Sequence, residues 1–489
     1  MEVPHLVSKH LEQLNSPSIG VGEQMVQFAS KMFPWHRSIM GEGVRRTLEA
    51  IGEHIPIDVR RVASGTDVLG WEIPDEWVIR DAFVRDARGE NVIDYRRSNL
   101  HVVNYSTPVD RQMTWDELKP HLHTLPDRPE WIPYRTAYFQ QTWGLCLSHR
   151  DYEKLAEVGN RTYHVCIDSA FKPGALEYGE LLLPGQRQDE FLFTTHICHP
   201  SLANDNLSSI VVLTELAKQL ARQSKLEFTV RILFAPATIG AITWLAINRQ
   251  TANRIRAGLV LANLGDSGSF HYKQSRQNDA LIDRVVPQVI DKQDSKTQAR
   301  AFTPFGYDER QYGSPGFNLP VGRLTRTPND EYPEYHTSAD NLSLISPTAL
   351  AESLTMCLEI VQEFSLAAKD VRNWPAAPSA LLAGAASPSN LTHVDEQPPL
   401  LDAVQRFVNT HPECEPPLGK YGLYQGYGHS QRERQTLQQA VLWLLNLSDG
   451  LHSLADIQQT SQLDIGVLQE ATQQLLKCGL LLPLASQHE

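Results

Sequence analysis

The sequence predicts an α/β protein: a mainly parallel sheet covered by helices on both faces, with an inserted small β-rich domain and a three-helix module at the C-terminal end. Three observations carry this reading. Apolar runs TYHVCID, GELLLP, EFLFTT, FTVRILFA, GLVLAN and PVGRLT alternate with helical patterns after Asn206, after Thr238 and over residues 346–367, which is how strands buried on both faces and joined by helical crossovers read. Over residues 57–128 the pattern changes to short alternating runs, WVIRDAFVRD, NVIDY and LHVVNY, divided by Gly, Asp and Asn turns, the signature of antiparallel strands. Further on, WPAAPSALLAGAASPSN has the Ala, Pro and Ser content of a linker. The expected division is 1–56 and 129–375 for the α/β core, 57–128 for the insert, 376–399 for the linker and 400–489 for the last module.

In chain order, Met25, Phe28, Met32 and Phe33, then Val44, Leu48 and Ile51, mark two helices expected to pack on the main sheet. Core-type helical sequence thus precedes the β-rich segment and α/β sequence follows it, which makes that segment an insertion. Residues 191–220 read as a buried strand ending at His196, a polar loop containing Asp205, and a helix. Beyond the linker, residues 432–445, 453–460 and 465–477 give three helices closed by an apolar LLLPL tail, an arrangement that resembles a winged helix. From Leu400 onward five Lys and Arg face nine Asp and Glu, so the module lacks the electrostatic footprint of a DNA binder. Its apolar positions Val441, Leu442, Leu444 and Leu445 predict a packed interface with the core or with a second chain, and hence a homo-oligomer.

A length of 489 residues predicts two or three domains. A net charge of -13 argues against nucleic acid as a partner. The six cysteines are scattered without CxxC pairs, so neither a disulfide framework nor a thiolate zinc site is expected and a reducing cytoplasm fits. No signal peptide and no membrane span are expected, since the first residues lack a basic start with an apolar core and no run approaches ~18 apolar residues.

The chemistry converges on residues 196–205 and 336–340. Open α/β sheets place ligand sites at the carboxyl ends of their strands, where His196 falls. A carboxylate nine residues later, Asp205, sits on the other shoulder of the same turn, and the two can reach a common metal ion. His, Cys, His and Asp crowd into ten residues here, and HTSAD downstream adds His336 with Asp340 behind it, the pairing that metal-bound imidazoles usually have.

The segments H-x-C-H-P-S, A-N-D-N-L-S-S and Y-H-T-S-A-D-N-L resemble the co-catalytic zinc aminopeptidase fold. SGTDVLGWEIPDEW, LHVVNYSTPVD, HLHTLPDRPEWIPYRT, DERQYGSPGFNLPVG and EYPEYHTSADNL resemble an aminopeptidase-like branch of it, with a small inserted domain and a C-terminal winged helix, over about residues 25–482. The resemblance implies Asp205 as bridging ligand, His196 as early His, His336 as late His, and Asp266, with its register open by one residue, as the carboxylate completing the early-His site. It also implies a cis peptide at Asn206. Cys198 stands where the family has an Asp supporting the early His, which leaves His199 open as a ligand in place of His196 or as its supporting neighbour.

The chain departs from the family at FAPATIGAIT, where Pro236 and Ala237 replace a Glu-Glu pair that supplies the general base and a ligand of the late-His site. One zinc ion or two remain open, and Glu309, Glu331 and Glu334 are the candidate replacement acids. What the resemblance implies is a zinc-dependent amide hydrolase acting on a small aminoacyl or peptide-like substrate. The alternatives are single-zinc acyl transfer or cyclisation, and a degenerate peptidase that binds a ligand or a protein.

Overall fold

The structure, a computed structural model, describes residues 19–157, 161–293, 299–329, 331–369, 371, 402–423 and 431–484. The expected linker lies outside the described residues. The main sheet has eight strands in the order Asp58–Ala63, Ala175–Leu183, Phe228–Ala235, Arg187–His196, Ile255–Leu261, Val321–Thr325, His271–Lys273 and Ala299–Arg300. The four strands from Phe228–Ala235 to Val321–Thr325 are mutually parallel, and antiparallel pairs flank them.

Side-chain parity explains why both faces are covered. On the strand Arg187–His196, Phe191 and Phe193 enter one apolar cluster with helices Ile19–Met32, Ser209–Ala221, Leu281–Gln293 and Pro347–Ala368. Leu192, between them, points into a second cluster with helix Ile239–Ile247 and the insert. Strands apolar at every position are what two buried faces require. The long helix Pro347–Ala368 begins where the sequence allows: the Ser346 side chain accepts from Ala349 N, and Pro347 fills the first helical position, where no N–H is needed.

The insert forms a four-stranded antiparallel sheet in the order Asn91–Asp94, Glu76–Arg85, Thr162–Lys172 and Val109–Thr114. Two sheet memberships differ from expectation. TYHVCID, expected in the main sheet, lies in this small one, because Tyr163, Val165 and Ile167 are buried while the residues between them are partly open, the alternation of a strand with one covered face. Asp58–Ala63, expected in the insert, is instead the edge strand of the main sheet, paired antiparallel with Ala175–Leu183.

The C-terminal module is a winged helix: helices Gln431–Leu447, Leu454–Ser461 and Ile465–Lys477 with a three-stranded sheet Asp449–Ser453, Arg406–Asn409, Leu481–Pro483. The apolar tail is thus its last strand. Of the residues expected to face the core or a second chain, Val441, Leu444 and Leu445 pack in the module's own core with Phe407, Ile457 and Leu468, while Leu442 and Leu445 also line a small cavity shared with Pro304, Gln311 and Pro315 of the α/β core. Contacts to the α/β core are chiefly polar. Arg276 Nε donates to Asn446 Oδ1 (2.9 Å) and its Nη2 to Asn446 O (3.0 Å), Cys414 N donates to Ser314 Oγ (2.9 Å), and Arg310 pairs with Glu415. Among the described residues, no helix is long and apolar enough to cross a membrane.

Arg276, largely buried at this interface, also donates to Asn318 on the core side (3.1 Å). Hydrogen bonds from a charged group are worth about 1.5–3 kcal/mol each. Arg276→Ala is therefore expected to speed limited proteolysis between core and module severalfold, with Arg276→Lys intermediate. Cleavage at the wild-type rate would show that the contact holds nothing.

Candidate metal centre

Parallel register brings the site together at one edge. His196 pairs with Ala235 and Thr195 with Leu261, so the loops carrying His199, Ala237 and Asn263 leave the sheet side by side. The Asp205 loop is not a regular turn: Asp205 (φ -106°, ψ 80°) and Asn206 (φ -147°, ψ 25°) are non-helical, and the peptide between them is cis, as the resemblance implies.

What holds this loop is Asp340. Its carboxylate accepts from three consecutive backbone N–H groups, Ala203 (3.1 Å), Asn204 (2.6 Å) and Asp205 (3.0 Å). The expectation that Asp340 backs the His336 imidazole is therefore corrected: it positions Asp205. Burial pushes its carboxyl up to about 7, with the three N–H groups opposing and the Asp205 charge adding to the rise.

Asp205 is fully buried at the centre of three imidazoles. Its Oδ1 lies 2.9 Å from His196 Nε2 and accepts from the Tyr307 hydroxyl at 3.4 Å. Its Oδ2 lies 3.0 Å from His336 Nε2 and 3.7 Å from His199 Nε2, and those two nitrogens are 3.2 Å apart. No well-directed hydrogen bond reaches Oδ2. Zinc bound at ~2.0–2.1 Å in a tetrahedron separates its ligand atoms by roughly 3.3 Å, and the three spacings just given bracket that edge. Oδ2, His199 Nε2 and His336 Nε2 are therefore spaced as three ligands of one ion would be, and His196, His199 and Asp205 make a group that could hold a metal ion.

Electrostatics agree with a cation site. Desolvation pushes His199 well below the ordinary imidazole value despite the Asp205 charge, so its ring is neutral. Burial would raise Asp205, but His199, His196 and His336 overcome it and hold the carboxyl well below its usual range. A neutral imidazole and an ionised carboxylate are the protonation states that ligation requires. Aromatic rings fix the orientations: Tyr307 stacks on His196 (5.0 Å, 20°), Tyr335 stacks on His336 (3.9 Å, 13°), and Tyr134 meets both His199 and His336. Arg37 Nε donates to His199 O (2.7 Å).

Several predicted residues lie elsewhere. Asp266 is kept out of the group: it accepts from Asn204 Nδ2 (2.8 Å), Gly268 N (2.7 Å) and Thr327 Oγ1 (2.6 Å), a loop-bracing role that uses both oxygens. Glu309 is fully buried in an ion pair with Lys273 (2.9 Å), with Arg323 at 3.6 Å. Glu331 is exposed and bonded to Arg300. Glu334, half-buried two residues before His336, has no ion-pair partner among the described residues. Cys198 Sγ lies 3.5 Å from His199 Nδ1, its thiol pushed up to about 12 by burial.

Tyr307 and Asn263 escaped sequence reasoning. Asn263, in the left-handed region at φ 51°, donates from Nδ2 to Tyr307 Oη (3.2 Å) and from its backbone N to Asn206 Oδ1 (3.2 Å). The left-handed preference of Asn just past an apolar strand was the available signal.

The chain matches the family described as Domain of unknown function (DUF4910) over residues 26–366 and a winged helix-turn-helix family over residues 405–483. A Clostridium acetobutylicum protein, described as a "Putative polysaccharide biosynthesis protein with aminopeptidase-like domain", is 38% identical over 474 residues, 96% of this chain and 99% of that one. A crystal structure of a "putative peptidase" from Clostridium acetobutylicum superposes with a TM-score of 0.70 at 36% identity, covering 98% of this chain and all of that one. The fold alone is shared with a zinc aminopeptidase from Bacillus subtilis (TM-score 0.53, 12% identity, 73% of this chain and 96% of that one). The same holds for a peptidase M28 precursor from Shewanella amazonensis (0.55, 14%, 76% and 98%).

Beside Glu309 lies a second acid that sequence reasoning passed over. Asp308 is buried, its Oδ1 has no hydrogen-bond partner, and burial together with the Glu309 charge pushes its carboxyl up to about 8 against the pull of Arg310. The folded chain then keeps a proton that the unfolded chain loses near pH 4, so this group makes stability fall as pH rises from about 4 to 8. Asp308→Asn is expected to abolish that decline, with wild-type and variant melting temperatures diverging as pH rises through the window. Parallel curves would show that Asp308 does not hold the proton.

Proposed function

The chain belongs to the DUF4910 family, and from that premise we propose that it is a metal-dependent amide hydrolase of aminopeptidase type that works with a single zinc ion on a small aminoacyl or peptide-like substrate. The observation that carries this reading is the spacing of Asp205 Oδ2, His199 Nε2 and His336 Nε2, with Oδ2 buried and lacking a directed donor. Asp205, His199 and His336 would hold the ion. His196 fixes the carboxylate through Oδ1 or supplies a further ligand. Zinc bound there supplies Lewis-acid polarisation of an amide carbonyl.

The chain's own residues do the rest. Tyr307 and Asp340 keep Asp205 in place. His336, a third exposed at its side chain, marks the open side by which a substrate enters. Glu334, half-buried two residues before His336, would be the acid that takes the proton or holds the substrate amine, since Glu309 and Glu331 are committed to Lys273 and Arg300. A second ion finds no acid at Pro236 or Ala237, and Asp266 is bound into its own loop. The acidic balance of the winged helix supports protein contact over nucleic acid as its role.

A second reading, a degenerate peptidase that binds a ligand without turning it over, is favoured by Ala237, which lies two residues past Ala235, the strand partner of His196, and offers no carboxylate. Two experiments separate the readings. Metal analysis is expected to give one zinc per chain, lost in Asp205→Ala and in His336→Ala with the fold retained, because buried apolar strands hold the sheet. Two zincs, or an unchanged stoichiometry in Asp205→Ala, would overturn the site.

In an aminoacyl-amide screen, Glu334→Gln is expected to cost roughly 100- to 10,000-fold in kcat, the worth of a general acid or base, with zinc content unchanged. A wild-type chain without turnover that gains it in Ala237→Glu would instead establish the degenerate reading.

A further inference from the structure

A cleft of about 780 Å³ opens between the core and the insert; none of His196, His199, Asp205 or His336 lines it, although Ser201 and Ser338, two residues past His199 and His336, do. Its walls carry five cationic side chains, Arg45, Arg46, Arg96, Arg97 and Lys172, against two carboxylates, Glu42 and Glu76. In a chain of net charge -13 this surplus is local and opposite in sign to the whole.

The ion pairs account for only part of it. Glu76 binds both guanidinium nitrogens of Arg45 (2.9 Å each) and lies 3.4 Å from Lys172 Nζ, Glu42 pairs with Arg45 (3.2 Å), and Arg96 pairs with Asp81 (2.6 Å). Arg46 and Arg97 are exposed and have no carboxylate at ion-pair distance among the described residues. Arg46 is not loose, however: its guanidinium lies 4.4 Å from the Trp35 ring centroid, and both side chains line the cleft.

The lining also includes the rings of Trp35, Tyr95 and Trp77, the last of them buried against Tyr105. His36 joins Tyr95 Oη (2.7 Å) to Asn104 Oδ1 (2.6 Å), and burial lowers it to about 4, so the floor beneath is neutral. Forked guanidinium donors recognise phosphate oxygens, and ring faces recognise flat ring systems. The volume falls within the range of small-molecule sites.

We propose that this cleft binds a small organic phosphate carrying a ring, of nucleotide type, with Arg46 and Arg97 on the phosphate and the aromatic walls on the ring. The proposal is independent of zinc and of any hydrolytic activity.

The test is calorimetric titration of the full chain with ADP and UDP, with adenosine and uridine as ring-only probes and pyrophosphate as the charge-only probe. At least one nucleotide is expected to bind about tenfold or more tighter than both its nucleoside and pyrophosphate, as a charge-assisted hydrogen bond allows. Arg46→Ala and Arg97→Ala should each weaken it by a similar factor, leaving the ligand-free melting temperature and zinc content unchanged. No nucleotide binding at millimolar concentration, affinities equal to the wild type in both variants, or pyrophosphate binding as tightly as the nucleotides would each overturn the proposal.

Discussion

The metal centre depends on one interaction, the reception of three successive backbone N–H groups by the Asp340 carboxylate. Residues 203–205 leave a strand edge and enter a helix through a non-helical loop, so their N–H groups have no helical partners, and buried backbone donors must be paired. A single carboxylate satisfies all three. The fixed loop then presents Asp205 to His196, His199 and His336 together, although His336 comes from the far end of the core sequence. Tyr134 N donates to His336 O (2.7 Å) and Ser338 N to Ile132 O (2.8 Å), which tie that segment to the start of the core after the insert.

The sheet makes the convergence cheap. Because Thr195 lies level with Phe234 and Leu261, three loops emerge at one height, and each needs only a few residues to reach the common point. Asn206 shows how closely they interlock. Its Nδ2 donates to Thr195 Oγ1 (2.7 Å) and lies 3.1 Å from His196 Nδ1, while its Oδ1 accepts from Asn263 N. One amide thereby couples the orientation of His196 to the end of the neighbouring strand. Stacked tyrosines, a neutral His199 and an ionised Asp205 leave little reorganisation for a cation to impose.

How much of this was legible in the sequence follows from how local each signal is. His196, Asp205 and His336 could be found because a strand end, a polar loop and a short motif announce them, and the sheet, its helices and the winged helix follow from apolar periodicity. The strand Thr162–Lys172 was misplaced because its apolar content suits either sheet; only its alternation of buried and partly open positions assigns it to the insert. Partners 30 to 140 positions apart were the illegible part. Nothing near Asp340 says that it caps residues 203–205, nothing near Asp266 says that Asn204 and Thr327 will occupy it, and nothing in DERQY says that Lys273 will come from the neighbouring strand to meet Glu309.

The fate of Glu309 bears on how many cations the centre suits. Removing a carboxylate from water is costly unless a partner compensates it; Lys273, itself pushed down to about 8 by burial despite Glu309, supplies that compensation together with Arg323. Drawing Glu309 toward the imidazoles would leave Lys273 buried without its partner, so the acid is not available to them. Glu331 is held on the surface by Arg300, and Asp308 retains its proton up to about pH 8. Among the acids of the centre, Asp205 alone meets the imidazoles, and against burial its carboxyl is held well below the usual range by His199, His196 and His336. The proposal of a single ion rests on this scarcity of free acids together with the one orphaned oxygen on Asp205.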